Sequence, residues 1–186
     1  MLKQVLFHRL SKKNANSGGA GFTLVELLVV IFIMGLLGSM VLANFRQGER
    51  IYSLSGATRK LVSDLRRIQN LSMSGVKSET EDIVYGYGIY LKKDGSTYTI
   101  FMDKNNNKTF QPSDDLSKET VVLPRGIKIS TITPVPSGLD IFFLPPAPAT
   151  YLNGSANPGQ SATVTLEVEG TSLKEMVTVT SAGLIQ

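Results

Sequence analysis

The sequence has no cysteine, and its single histidine is His8. Without cysteine the chain can form no disulfide, thiolate metal site or thiol nucleophile, so an exported domain must be held together by its core. His8 lies in a basic N-terminal segment, and the rest of the chain has no imidazole for general-base catalysis or zinc binding. Gly86 and Gly88 lie in a strand-like pattern and open no helix, so they do not form a phosphate-binding loop. These absences predict that the protein is not an enzyme.

Acidic residues are missing from residues 1–21. The basic residues of this segment are Lys3, Arg9, Lys12 and Lys13. Their charge equals the formal net charge of the whole chain, +4 at pH 7, so residues 22–186 are formally neutral. The high pI therefore does not indicate a nucleic-acid partner. Positive residues before an apolar span keep the N-terminus in the cytoplasm and place the remainder outside.

The segment from Phe22 to Ala43 has almost no charge. It is apolar over 22 residues, and at about 1.5 Å per residue it reaches about 33 Å, which is enough to span a bilayer. Its only charged side chain is Glu26, and a carboxylate inside a bilayer costs several kcal/mol unless it is paired. Once the basic segment is removed, only an N-terminal amine could pair with it. The pattern indicates cleavage, membrane residence and pairing of Glu26 with a group beyond its own neighbours.

Residues 21–30, which read GFTLVELLVV, resemble the processing site of type IV pilins and type II secretion pseudopilins. In that family a prepilin peptidase in the membrane cuts after the glycine, and the new N-terminal phenylalanine is N-methylated. The glutamate pairs with the N-terminal amine of a neighbouring subunit during filament assembly. The resemblance implies cleavage between Gly21 and Phe22, methylation of Phe22 and an assembly role for Glu26.

A long helix is predicted from about Phe22 to Ser72, with a C-cap at Ser74-Gly75. Beyond Ala43 the apolar residues recur at spacings of three and four, which is typical of a helix that buries one face. These residues are Leu54, Ala57, Leu61, Leu65, Ile68 and Leu71. The remaining positions hold more basic than acidic residues, the acidic ones being Glu49 and Asp64, and they predict a basic surface.

From Ile83 onward the periodicity is that of strands. Strands are predicted at 83–91, 97–102, 120–123, 127–133, 139–144, 162–169 and 175–180, with a tight turn at Asp94-Gly95. Loops are predicted at 144–148, which is rich in proline, and at 153–161. The predicted fold class is α+β, a long N-terminal helix packed against a C-terminal antiparallel β domain. The predicted organisation is a leader at 1–21, a transmembrane half-helix at 22–43, an amphipathic half-helix at 44–75 and the β domain at 76–186.

The order of elements is similar to that of the H-type pseudopilin and FimT/FimU minor-pilin group. The similarity rests on a tyrosine-rich hairpin, an Asp/Asn-rich loop, a strand after 123–126 and a closing hairpin that ends at 181–185. It implies two sheets against the helix. Some DNA-binding members carry a Gly-Arg-x-Arg signature near the C-terminus, where this chain reads Gly183-Leu184-Ile185-Gln186. The resemblance therefore gives no support for DNA uptake through that signature.

Two interpretations remain for the basic positions of the second half-helix. These positions are Arg46, Arg50, Arg59, Lys60, Arg66 and Arg67. The simpler interpretation is a solvated helix face, since residues 71–186 carry more acidic than basic side chains and do not favour phosphate binding. The other is a DNA-binding minor pilin for uptake, whose salt-dependent binding would be lost when Arg59, Lys60, Arg66 or Arg67 is neutralised.

One polar loop has the spacing of a calcium site. Its candidate ligands are Asp103, Asn105, Asn107 and Asp114, at positions one, three, five and twelve of a calcium loop. Lys108 replaces the glycine of the sharp turn, and Asp114 replaces the bidentate glutamate. The alternative is a polar loop in which asparagine serves turn geometry. A bound calcium ion would be structural, and no other cofactor is expected.

The sequence as a whole predicts a minor pilin or pseudopilin, a structural subunit of a type IV pilus or a type II secretion pseudopilus. Its partners would be other subunits through the N-terminal helices, the prepilin peptidase and an inner-membrane assembly platform. It would cross the inner membrane once, with the C-terminal domain extracytoplasmic, before it joins the filament. The remaining alternative is a signal-anchored module that never polymerises, which requires neither cleavage nor Glu26.

Overall fold

The computed structural model describes residues 21–74, 84–144 and 149–186. Within these ranges the chain forms a helix, α1, followed by strands β1 to β8. Their bounds are α1 Leu24–Ser74, β1 Gly86–Lys92, β2 Thr97–Asp103, β3 Leu116–Val122, β4 Ile127–Thr133, β5 Gly138–Leu144, β6 Ala149–Leu152, β7 Ser161–Val168 and β8 Lys174–Thr180. The contacts divide the chain into two units, with the boundary between Ala43 and Asn44.

Helix α1 has two halves of different character. It begins and ends two residues later than predicted, at Leu24 and Ser74. Side chains from 21 to 42 are exposed throughout, although most of them are apolar. In the second half the buried stripe comprises Leu54, Ala57, Leu61, Leu65 and Ile68, while Leu71 is partly buried at its edge. The spacing of apolar residues therefore predicted correctly which face of this half packs inward.

Sheet A has five strands in the order β3-β2-β1-β5-β6, and its neighbouring strands are antiparallel. The hairpin of β1 and β2 closes at the predicted turn, where Asp94 takes a left-handed conformation with φ of 59° before Gly95. Asp tolerates this conformation better than most residues, which explains its place in the turn. The chain leaves sheet A for β4 and returns to it with β5.

Sheet B contains β4, β7 and β8 in the order β4-β7-β8, again antiparallel. The outer edge of β4 bonds to the β1–β2 turn, because the N–H of Ile129 donates to the Gly95 carbonyl at 3.0 Å. Beyond β8 the chain turns at Gly183, whose φ is 82°, and residues 184–186 run back along β8. Thr178 and Gln186 exchange two main-chain hydrogen bonds of 3.0 Å there.

One hydrophobic core joins the second half of α1 to both sheets. Ile89 and Ile141 contribute to it from sheet A, and Ile129 and Leu166 from sheet B, each with no exposed surface. Full burial of such a side chain contributes about 1.5–3 kcal/mol relative to exposure. The predicted α+β class, a long helix against antiparallel strands, is confirmed.

The opposite face of sheet A carries a second, aromatic layer. Phe101 and Phe142 are fully buried there, and the ring of Phe110, from the connection between β2 and β3, lies 5.2 Å from that of Phe101. Gly88 leaves room for this layer, since a Cβ at that position would lie 2.5 Å from Phe101 Cζ. At both Gly86 and Gly88 a phenylalanine ring lies over β1 in the space that a Cβ would occupy.

Strand bounds differ most from prediction at the edges of sheet A. β3 begins at Leu116 instead of Thr120, and β6 was not predicted. As an edge strand, β3 has side chains exposed on both faces, so its sequence shows no clear alternation. β6 has only four residues and lies between the two stretches that were predicted as loops. Gly75, Ile83 and the proline-rich residues 145–148 lie outside the described residues.

Candidate functional site

Helix α1 begins at a capping motif. The Thr23 Oγ1 accepts a hydrogen bond of 3.2 Å from the N–H of Glu26, and the N–H of Leu27 donates to the Thr23 carbonyl at 3.1 Å. Thr23 is therefore the N-cap, and Glu26 is the third helical residue, the spacing of a capping box. A carboxylate in the first turn is also favoured by the positive end of the helix dipole.

The Glu26 carboxylate is exposed among apolar side chains. Its neighbours Phe22, Leu24 and Val25 have exposed fractions of 76%, 78% and 68%. Within the described ranges the Glu26 carboxylate forms no hydrogen bond or ion pair. Only one of the two hydrogen bonds of a capping box is therefore formed, the one that Thr23 accepts. The helix also contains an 18-residue window with a mean hydropathy of 2.6, long and apolar enough to cross a membrane, and none of that window is buried.

This apolar helix with an acid in its first turn coincides with a known sequence motif. Residues 17–42 match the prokaryotic N-terminal methylation motif. The chain carries a pilin-type processing signal. The motif supports the pilin and pseudopilin superfamily, and it implies processing by prepilin peptidase and assembly with other pilin subunits in general. Together with the apolar helix, it supports anchoring in the inner membrane. No curated protein and no solved structure matches the chain.

The basic residues of α1 lie beyond the end of the methylation motif. Most of the basic side chains that a DNA-binding role would use have partners within the protein. Lys60 pairs with an acid one turn ahead on the helix, and Arg67 pairs with Glu119 on β3 at 2.7 Å. The Arg66 Nη2 donates to a main-chain carbonyl of the C-terminal segment at 3.5 Å. Arg59 is exposed. The two ion pairs offset positive charge that the helix would otherwise offer to phosphates, and DNA binding stays a prediction.

Asp64 is a buried acid, and its predicted place on the basic surface was wrong. It is only 2% exposed, and its carboxylate accepts the Tyr98 hydroxyl at 2.6 Å and Lys60 Nζ at 2.8 Å. Burial and the bond to Asp64 raise the pKa of Tyr98, so Tyr98 keeps its proton. The spacing contained a signal for this burial. Asp64 follows Leu61 by three residues and precedes Ile68 by four, so it lies on the same face of the helix as these two buried residues.

The predicted calcium loop is folded around Asp103, which has no exposed surface. The Asp103 Oδ1 accepts the N–H groups of Asn105 and Asn106 at 3.0 and 2.7 Å, and Oδ2 accepts that of Lys108 at 2.9 Å. Asn106 and Lys108 have φ of 61° and 65°. Lys108 therefore takes the left-handed conformation at the position where a calcium loop has glycine.

The structure brings together only part of the predicted calcium ligand set. Asn105 and Asn107 lie on the same loop as Asp103, and each accepts an N–H from two residues ahead. Asp114 is exposed, whereas Asp115 is buried and accepts two main-chain N–H groups. Among the described residues there is no group of three or more His, Cys, Asp or Glu side chains that could hold a metal ion. Calcium binding stays a prediction.

Asp140 is a second acid that the sequence pattern did not reveal. It lies on β5 between Leu139 and Ile141, so it reads as the polar position of an alternating strand. In the structure it is half-buried, and its Oδ1 accepts the N–H of Phe110 at 2.9 Å. Burial raises the pKa of Asp140 to about 6, with a further contribution from the negative charge of Asp115. The pKa of Asp115 is also raised, chiefly by burial.

Proposed function

We propose that the protein is a structural subunit of a membrane-anchored filament, a minor pilin or pseudopilin of a type IV pilus or type II secretion system. The observation that carries this proposal is the methylation motif at 17–42, which coincides with the start of an exposed apolar helix. The packing of two sheets with the second half-helix supports the finer placement in the H-type and FimT/FimU group. We also propose that the processed protein is not an enzyme, because the sequence after Gly21 contains neither histidine nor cysteine.

In this proposal, processing creates a new charge at the helix N-terminus. Hydrolysis of the peptide bond between Gly21 and Phe22 releases the basic leader and leaves a protonated amine on Phe22, one residue before the N-cap Thr23. Methylation keeps that charge. The helix dipole disfavours a cation at this end. A nearby carboxylate would therefore stabilise the processed terminus.

Glu26 of one subunit and the Phe22 amine of a neighbour can supply this compensation to each other. Either charge alone is costly in an apolar environment, so each favours a position where the other is present. Because the cost of desolvation offsets much of the Coulombic gain, the pair would select the register of neighbouring helices more than it adds stability. Packing between the apolar helices would supply most of the attraction.

The substitution Glu26→Gln tests the assembly role. It keeps the size of the side chain and removes its charge, so we expect normal processing and membrane residence. Incorporation into sheared filaments should fall about tenfold, which corresponds to about 1.4 kcal/mol of lost pairing. The measurement is the ratio of protein in the filament and membrane fractions of cells that carry the variant in place of the native gene.

Glu49→Gln is the matched control, because Glu49 is an exposed acid farther along the same helix. It should leave incorporation unchanged. If the processed Glu26→Gln variant joins filaments as well as the native protein does, the proposal is wrong. Absence of the native protein itself from the filament fraction would instead favour the signal-anchored module that never polymerises.

A further inference from the structure

A cleft of about 430 Å³ opens on the outer face of sheet A, beside the aromatic layer. Its volume lies within the range of small-molecule sites. Within the described part of the chain, its walls come from β1, β5, the connection between β4 and β5, and the residue after β6. The residues that line the cleft include Tyr90, Lys92, Ser137, Gly138, Asp140 and Asn153.

Hydrogen bonds hold two polar side chains of the cleft in place. The N–H of Asp140 donates to Asn153 Oδ1 at 2.8 Å, and the N–H of Asn153 donates to the Asp140 carbonyl at 2.9 Å. The Asp140 Oδ1 accepts the N–H of Phe110. Within the described residues, the second Asp140 oxygen and the Asn153 amide NH₂ have no protein partner. The cleft therefore presents a fixed acceptor and a fixed donor to a ligand.

The Tyr90 ring supplies an aromatic wall. Its centroid lies 5.3 Å from that of Phe110, which supports it from the aromatic layer. Gly138 leaves space for the ring, since a Cβ there would lie 3.2 Å from Tyr90 Cε2. An aromatic ring beside fixed hydrogen-bonding groups suits a ligand that has an apolar face and a polar edge.

The charges of the cleft favour a neutral ligand. Lys92 and Asp140 both line it and carry opposite charges, so neither a small anion nor a small cation gains a net attraction. Burial raises the pKa of Asp140 to about 6, so its carboxylate is poorly hydrated yet mostly ionised at neutral pH. A poorly hydrated acid in a cleft is typical of a binding site.

We propose that this cleft binds a neutral saccharide. Sugar hydroxyls donate to Asp140 and accept from Asn153 and Lys92, while a C–H face of the sugar packs on the Tyr90 ring. The cleft residues all lie outside α1, so the site does not depend on the assembly proposal.

Saturation-transfer NMR on the full chain tests this site. The protein is kept in lauryldimethylamine oxide micelles, because this detergent has no sugar or phosphate headgroup. The probes are glucose, galactose, N-acetylglucosamine, maltose and lactose, with methyl phosphate and putrescine as ionic comparisons, each of which has carbon-bound protons that report transfer. We expect transfer to at least one of the sugars and none to the ionic probes.

Two variants locate the binding. Asn153→Asp keeps the acceptor for the Asp140 N–H and tolerates the left-handed φ of 49°, but it removes the amide donor. Lys92→Gln removes the charge. Each should raise the dissociation constant of the bound sugar about tenfold. Tyr151→Phe, on the same face, and Lys128→Gln, on β4, are controls that should leave it unchanged.

The proposal is overturned if none of the five sugars shows transfer, or if methyl phosphate or putrescine shows transfer that Lys92→Gln or Asn153→Asp abolishes. It is also overturned if sugar transfer persists unchanged in both cleft variants. Thermal unfolding of each variant accompanies the NMR measurement, so that a loss of binding is assigned to the cleft only where the fold is intact.

Discussion

At the scale of single residues, Asp64 joins α1 to sheet A through a buried hydrogen bond. Its carboxylate is buried in the core and bonds to Tyr98 on β2, while Lys60 and Arg67 lie at the exposed rim. Replacing such a network by well-packed apolar residues is often neutral or stabilising, whereas removing one partner leaves a buried polar group unsatisfied. The Tyr98–Asp64 bond therefore favours one placement of the helix on the sheet over alternatives that would separate the two.

Asp64→Ala should lower the free energy of unfolding by about 3 kcal/mol, because it leaves the Tyr98 hydroxyl buried without its acceptor and opens a cavity. Lys60→Ala is the control and should cost less than about 1 kcal/mol, since the Lys60 side chain is 54% exposed. Urea unfolding in detergent measures both. Equal effects of the two substitutions would show that Asp64 contributes no more than a surface ion pair.

Asp140 gives the fold a dependence on pH. Its pKa rises from an ordinary value of 3.8 to about 6 in the folded chain, because burial disfavours the charged form. The folded state then binds the proton more tightly than the unfolded state does. The stabilisation from protonation is complete below about pH 3.8 and is lost as the pH rises through about 6.

Protonation of Asp140 should therefore contribute to the midpoint temperature of thermal unfolding, and this component should decrease as the pH rises from about 4 to about 6.5. Asp140→Asn keeps an acceptor for the Phe110 N–H and should remove this component, leaving the smaller contribution of Asp115, whose pKa shift has the same direction. Asp114→Asn, at an exposed position, should leave the contribution of Asp140 in place. Identical pH profiles of native and Asp140→Asn protein would contradict the assignment.

At the scale of secondary-structure elements, two glycines with different surroundings predict opposite effects. Gly88 on β1 lies under the aromatic layer, and a Cβ there would meet Phe101 Cζ at 2.5 Å and the Ile141 carbonyl at 3.0 Å. Gly56 lies on the exposed side of α1 with nothing within 4 Å of a Cβ.

Gly88→Ala should destabilise the β domain by about 1–3 kcal/mol through overpacking. Gly56→Ala should stabilise it by up to about 1 kcal/mol, because alanine is a better helix former. The pair is compared by urea unfolding under one condition. A stabilising Gly88→Ala substitution would mean that the rings over β1 can shift without cost.

Sequence patterns predicted those elements whose signals are local. The stripe of α1, the turn at Asp94 and the full extent of β4 follow from short-range periodicity and turn chemistry. β3 and β6 lack such signals, because an edge strand need not alternate and a four-residue strand is too short to show a period.

The same distinction applies to the sites. Gly21, Phe22 and Glu26 lie in one contiguous motif and were recognisable, although their roles stay predictions. The environments of Asp64 and Asp140 depend on Tyr98 and Phe110, which are 34 and 30 residues away in the sequence. Long-range packing determines the burial of these acids, and no local pattern encodes it.

At the scale of the whole molecule, the two units have contrasting surfaces. Residues 21–42 expose almost only apolar side chains, whereas the second unit buries most of its large apolar residues in one core and the aromatic layer. An apolar surface of this extent is unusual for a free monomer in water and is typical of segments that contact lipid or other helices.

The processing proposal is tested on the intact chain. We expect native protein purified from its own membranes to lack residues 1–21 and to carry one extra methyl group. Gly21→Ala should retain the leader and remain unmethylated, because the resemblance places the cut directly after this glycine. A Cβ at Gly21 has open space around it, so the substitution should not disturb the fold.

Intact-mass spectrometry distinguishes the two forms. Normal cleavage of Gly21→Ala would contradict the assigned cleavage position. A full-length, unmethylated native protein in cells with an active peptidase would contradict the filament proposal itself.

The edges of sheet B also bear on the solubility of this protein at high local concentration. An unpaired strand edge can template the addition of strands from other copies, which leads to amyloid-like stacking. Here β4 bonds to the β1–β2 turn, and β8 bonds to residues 184–186 at Thr178 and Thr180. Main-chain groups at these positions are already paired within the chain. At high local concentration, copies could therefore associate through their exposed helices, while these edges of sheet B resist the addition of strands from other copies.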